Sequence, residues 1–184
     1  MGRVLDRIDQ QTRDFIVQQK MFFVATAPSG AAGHVNLSPK GHADTFAVID
    51  DHTVGYLDLT GSGAETAAHL RDNGRITVMF CAFERAPNIV RLFGAGRVVP
   101  AGSPEFESLL ARFPARAGAR AVVVVDVSRV QTSCGFAVPY YEYAGDRDLL
   151  EGWAEARTPE RLTAYRNDKN VRSIDGLPAF DPAN

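Results

Sequence analysis

The chain has 184 residues, 45% hydrophobic and 23% charged, which suits one globular unit able to bury roughly 70% of its unfolded surface without metal or disulfide. A net charge of −2 with both signs scattered leaves no basic stripe for nucleic acid, and no apolar run reaches the ~20 residues of a membrane span. The distant cysteines Cys81 and Cys134, with no secretory signal ahead of the first structured segment, point to a reducing cytoplasm.

Val4, Leu5, Ile8, Phe15 and Ile16 recur at helical spacing, predicting an amphipathic helix over 3–20. The period then changes. Strands are predicted from MFFVAT (21–26), HVNLS (34–38), TFAVID (45–50) and TVGYLDL (53–59), the last two joined by a tight turn at Asp50-Asp51-His52. The spacers are too short for helical crossovers, so the pairing is antiparallel. A helix over 62–72 follows. RITVMFCAF (75–83), NIVRLFGAGRVV (88–99), a helix over 103–113 and RAVVVVDVSRVQTS (120–133) come next. Gly94 and Gly96 inside a long strand mark a bulge or barrel bend, and the Phe93-Gly94 pair serves strand packing. A last helical stretch over 148–170 breaks at Thr158-Pro159, a capping residue followed by proline at the first helical position.

Seven such strands with isolated helices predict a mainly β fold, a closed or nearly closed antiparallel barrel, because closure removes exposed edges. With no repeat or linker, one domain spans 1–184: an N-terminal helix (1–20), the barrel (21–133), and a C-terminal loop with helices (134–184).

The stretch YLDLTGSGAETAAHL (56–70) carries the most chemistry. Ser62-x-x-Glu65 has the form of a capping box, in which Ser62 accepts from the Glu65 N–H and the Glu65 carboxylate reaches back. A helix start preceded by glycines is also where free N–H groups and the positive dipole end can hold a phosphate. The two readings are compatible.

HVNLSPKGHAD, YLDLTGSGAETAAHLRDNGRITVMF and PNIVRLFGAGRVV stand in that order, and SCGFAVPYYEY with RNDKNVRSIDGLP follows. This set resembles the pyridoxamine 5′-phosphate oxidase-like family of FMN-binding split barrels over about residues 15–135, in its uncharacterised branch and not the vitamin B6 oxidases. The resemblance implies an antiparallel split β-barrel with flanking helices and FMN, or another flavin-like cofactor, at a homodimer interface. It places Lys40, with Asn36 and Ser38 on the same face, against the phosphate or flavin. Ser62, Gly63 and Thr66 fall at the phosphate turn, Asp58 and Thr60 along the flavin, and Asn88 and Arg91 toward the cofactor of the other subunit.

Two departures stand out. Where the true oxidases carry an Arg-Lys pair in the first helical turn, this chain has Glu65 and Thr66, leaving Lys40, the helix N-terminus and Arg91 to balance the phosphate. In place of an Arg-x-His substrate element the tail reads Val171-Arg172-Ser173-Ile174-Asp175, which argues against pyridoxine phosphate. Arg172 either binds an anionic group or, as the ordinary role of such a residue, is a snorkelling surface side chain.

His34, His42, His52 and His69 lack metal-ligand spacing. Haem binding, known among split-barrel relatives, would need an axial ligand such as His34 or His69, whose ordinary roles are solvated or core positions. Cys134 either touches a substrate or is a small buried side chain, and Tyr140, Tyr141 and Tyr143 either cover the flavin or pack on the barrel. No residue stands out as a catalytic acid or base. The resemblance implies an FMN-dependent oxidoreductase acting on a small molecule. The alternative is a non-catalytic flavin-binding or sensing protein, or a dimer without cofactor.

Overall fold

The structure, a computed structural model, describes residues 2–182. The strands are β1 (Val4–Leu5), β2 (Phe22–Thr26), β3 (Asn36–Lys40), β4 (Phe46–Val48), β5 (Thr53–Leu59), β6 (Arg75–Cys81), β7 (Ile89–Pro100) and β8 (Ala119–Ser133). The helices are α1 (Gln10–Ile16), α2 (Glu65–Asn73), α3 (Pro104–Leu110), α4 (Leu149–Glu155) and α5 (Pro159–Lys169), with a 3₁₀ turn at Ala43–Thr45. All strand pairs are antiparallel, in the order β3-β2-β6-β7-β8-β5-β4, with β1 added to the end of β8.

The sheet curls into a split barrel whose end strands, β3 and β4, do not pair with each other. Side chains bring its two halves together instead. Phe46 of β4 meets Phe22 of β2 and Phe80 of β6 edge-on, at ring separations of 5.0 and 4.9 Å, and Tyr56 of β5 meets Phe22 at 5.4 Å. These rings, with Val24, Val78, Val90, Leu92 and Val125, form the main core. A second cluster packs α3 through Phe106 against Leu57, Val122 and Val124. β5 and the first half of β8 are thereby buried on both faces, which explains their nearly unbroken apolar sequence. Ala64, Ala67 and Ala68 of the α2 region lie under Ala179 and Leu177 of the C-terminal segment.

The helix expected over 3–20 forms only in part. Only Gln10–Ile16 is helical, capped by the Asp9 carboxylate accepting from the Thr12 N–H at 2.8 Å. Val4 and Leu5 instead pair with Gln131 and Val130 at the far end of β8, a long-range partner that local periodicity does not reveal. Among the described residues no helix is long and apolar enough to cross a membrane.

The sheet register shifts at Phe93/Gly94, the expected bulge. A Cβ added at Gly94 would overlap the Asp126 carbonyl of β8, so backbone must move to admit it. Gly94→Ala should therefore destabilise the fold by about 1–3 kcal/mol or more, read as a lower urea midpoint; an unchanged midpoint would show that this strand crossing is not tight.

Candidate functional site

β5 ends at Leu59, and the chain crosses Thr60-Gly61-Ser62-Gly63-Ala64 before α2 begins. This loop is held from behind. Asn170, at the end of α5, donates to the Gly61 carbonyl at 2.8 Å, and Arg166 donates to the Thr60 hydroxyl at 3.0 Å. Thr60 itself is buried and bonds the Gly118 carbonyl through both its N–H and its hydroxyl. Arg120, the second residue of β8, grips the loop from the other side, donating to the Gly61 and Gly63 carbonyls at 3.3 and 2.8 Å.

The third anchor of Arg120 is Asp58, at 2.7 Å from Nε. The other Asp58 oxygen lies 3.1 Å from Lys40 Nζ, at the end of edge strand β3. One buried carboxylate thus ties β3, β5 and β8 together where the sheet is split. Burial would raise the Asp58 pKa, but the Lys40 and Arg120 charges and hydrogen bonds outweigh it and hold the carboxyl below its ordinary value. Phe180 covers the outer face of the Arg120 guanidinium, 4.9 Å from its ring centre.

In front of these groups lies a cavity of about 320 Å³. Ser38, Lys40, His42, Asp58, Gly61, Gly63, Glu65, Thr66 and Arg120 line it, with Leu57 and Leu150 among its apolar walls. Behind the lining runs a polar chain. Ser38 donates to Asn36 at 3.0 Å, and Asn36 donates to Thr66 at 3.1 Å. Asn36 also approaches the Thr26 hydroxyl, which bonds His69 Nδ1 at 2.9 Å. The hydroxyls of Ser38 and Thr66 are thereby oriented from the interior.

Of the residues the sequence singled out, Ser38, Lys40, Asp58, Gly63 and Thr66 line this cavity, and Asn36 braces two of them. Ser62 is exposed and outside the lining, and Thr60 lies beneath the loop. Asn88 and Arg91 lie elsewhere: the Asn88 carbonyl accepts from the Ala82 N–H, and Arg91 donates to Ser133 at 3.1 Å. The capping box does not form. Arg120 and Asn170 draw the glycine carbonyls inward, the helix begins with Ala64 as its N-cap, and no side chain caps it. Glu65 instead faces the cavity and meets the Ile174 N–H at 3.4 Å.

The remaining candidates lie away from the cavity. His34 pairs with Asp175 at 2.7 Å, His69 is fully buried, and His52 is exposed. Cys134 is exposed, as are Tyr140, Tyr141 and Tyr143, so neither the thiol nor the tyrosines are core. Arg172 donates to the Gly176 carbonyl. Arg120 was missed because it heads an apolar run. The available signal was a pair of lone opposite charges, Asp58 in YLDL and Arg120 in RAVVVV, in two strands otherwise fit for burial on both faces.

The family described as pyridoxamine 5′-phosphate oxidase matches residues 8–134. A pyridoxamine 5′-phosphate oxidase family protein of Aspergillus flavus, ustO, is 40% identical over 194 aligned positions, spanning 97% of this chain and 78% of the relative. Among solved structures, HupZ of Group A Streptococcus is 27% identical with a TM-score of 0.51, over 67% of this chain and 91% of that one. A Corynebacterium diphtheriae protein of unknown function, 13% identical with a TM-score of 0.50 over 72% and 98% of the two chains, shares the fold.

Asp58→Asn leaves two cations around a neutral amide and should cost about 3–5 kcal/mol, the usual result of breaking a buried pair. Because the folded-state pKa of Asp58 is depressed, its contribution is complete above the unfolded carboxylate value of about 3.9 and is lost as pH falls through the lower folded value. Urea titrations should show the gap between wild type and variant full at pH 5–7 and shrinking below about pH 4. A gap that stays constant into acid would contradict the ion-pair account.

Proposed function

Because the chain belongs to the pyridoxamine 5′-phosphate oxidase family, we propose that its cavity holds the phosphate end of FMN and that the protein is a flavin-dependent oxidoreductase acting on a small molecule. The observation that carries this reading is the convergence, on one cavity, of the uncapped start of α2 with Lys40 and Arg120. The first N–H groups of a helix have no intrahelical acceptor, and the dipole places partial positive charge there. An anion supplies both needs.

The glycines support the same reading. A Cβ at Gly61 would meet nothing within 4 Å, and one at Gly63 would meet only the Glu65 carboxylate, at 3.1 Å. Neither residue has the positive φ that demands glycine. What they do is leave room in the wall of the cavity.

When bound, the flavin supplies the hydride or electron transfer. The chain's own residues do the rest. Lys40, Arg120 and the N–H groups of the first α2 turn neutralise the phosphate, while Ser38 and Thr66 offer hydroxyls fixed by Asn36. The cavity is at the small end of the usual ~300–1,000 Å³ range, which suits a site completed by a second subunit. Exposed Val35, Leu37, Phe136 and Tyr140 offer apolar surface for that partner. Asn88 and Arg91, remote from their own cavity, are placed in this reading against the partner's cofactor.

Titration should show FMN binding more tightly than riboflavin, and equal affinity would remove the phosphate seat. Lys40→Ala should weaken FMN by roughly 1.5–3 kcal/mol, the scale of a charge-assisted hydrogen bond, and should also lower stability, because Asp58 loses a partner. Glu65→Lys should tighten FMN with little change in stability, since no capping box is lost; weaker FMN binding by this variant would mean Glu65 is not near the phosphate.

Sedimentation should give a dimer with no folded monomer at micromolar concentration, as obligate interfaces burying over ~2,000 Å² require. A stable folded monomer that binds FMN fully would overturn the shared site. Reduction by NADH or NADPH, with reoxidation by an added acceptor, separates an oxidoreductase from a flavin carrier.

A further inference from the structure

Lys40-Gly41-His42 carries β3 into the 3₁₀ turn, and His42 adopts φ 61° and ψ 94°, a region that residues with a Cβ avoid. Such backbone persists only where the surroundings enforce it. Here they do. Buried Thr45 donates its hydroxyl to the carbonyls of Gly41 and His42 at 3.1 and 2.8 Å, and its N–H to His42 at 2.9 Å. Arg116 grips Asp44 at 2.7 and 2.8 Å and reaches Glu151 of α4 at 2.9 Å.

The result of this bracing is an imidazole set into the cavity wall, its side chain only 14% exposed. Its Nδ1 is buried without a hydrogen bond, and the Asp146 carboxylate stands 3.7 Å away, too far to accept one. At that distance Nδ1 makes no hydrogen bond in either charge state, but a protonated ring brings a positive charge that the Asp146 carboxylate attracts.

The charges around the ring point the same way. Across the cavity, Lys40 and Arg120 are matched by Asp58 and Glu65, two cations against two carboxylates. On the outer side, Asp146, Asp44 and Glu151 face a single guanidinium, Arg116, and Tyr143 hydrogen-bonds Asp146. A dianion entering the balanced cavity needs additional positive charge at low dielectric. Of the groups lining it, only imidazole ordinarily changes charge between pH 5 and 8.

We propose that His42 takes up a proton from solvent when the cavity binds a dianionic phosphate, so that affinity for FMN depends on pH whereas affinity for riboflavin does not. The inference rests on the phosphate seat proposed above. Protein, FMN dianion and one proton combine to give the complex, with a new imidazolium N–H and no other bond changed.

Binding raises the proton affinity of the ring, which settles the sign. Where the free ring already carries the proton, affinity is at its plateau; where it does not, Kd weakens as pH rises, with a slope approaching tenfold per unit, then levels once the complex also loses the proton. The second ionisation of the FMN phosphate, near pH 6, acts in the opposite sense and is essentially complete above about pH 7.

The test is fluorescence titration of the full-length protein with FMN and with riboflavin from about pH 7 to 9, for wild type and His42→Asn. Asparagine tolerates positive φ better than other residues with a side chain. Calorimetry of the wild type in two buffers of different ionisation enthalpy counts protons without any variant. The expected result is FMN affinity falling with pH, net proton uptake for FMN and none for riboflavin, and a flat FMN profile for His42→Asn. Zero uptake with FMN, or the wild-type slope retained in His42→Asn, overturns the proposal while leaving the phosphate seat standing. Failure of FMN to bind at any pH overturns both.

Discussion

The structure turns on one buried carboxylate. An open antiparallel sheet with unpaired end strands has no hydrogen-bonded ladder to close it, and here Asp58 supplies a bond across the split by holding Lys40 of β3 and Arg120 of β8 at once. A buried ion pair is costly to form and costlier to break, so its value is positional. Arg120, held by Asp58 through Nε, has four further N–H donors, and two of them go to carbonyls of the glycine loop. That pull moves the start of α2 to Glu65 and leaves its first turn open to the cavity. Fold closure and the proposed anion seat therefore share one set of atoms.

That sharing also explains why the site is neutral in formal charge before a ligand enters. Lys40 is committed to Asp58 and Glu65 sits at the mouth of the helix, so a phosphate would compete for charge already in use. A family site with an Arg-Lys pair in this turn would not face that competition. Arg120 shares Asp58 with Lys40, so the compensation available here lies in the N–H donors Arg120 has left, the helix dipole and the strained His42 at the edge of the same cavity.

Much of this was legible in the sequence, and what was not has a physical reason. β5 coincides with TVGYLDL because a strand buried on both faces writes its limits in apolar residues bounded by turns. The break at Thr158-Pro159 held because capping is local: the Thr158 hydroxyl accepts from the Arg161 N–H. Lys40, Ser38 and Thr66, singled out by ordered motifs, all line the one cavity. The capping box failed because Ser62 and Glu65 were judged by their neighbours, while their loop is shaped by Arg120 and Asn170, 59 and 109 positions from Gly61. Val4 and Leu5 have helical spacing but join a strand more than a hundred residues away. Local periodicity carries no information about either.

If a phosphate sits against the α2 N-terminus between Lys40 and Arg120 as proposed, phosphorus NMR of FMN observes it directly. Addition of the protein should shift and broaden the FMN phosphorus resonance, and Lys40→Ala should return it toward the free position. If flavin fluorescence reports binding while the phosphorus resonance keeps the shift and width of free FMN, the phosphate is in solvent and the account is contradicted.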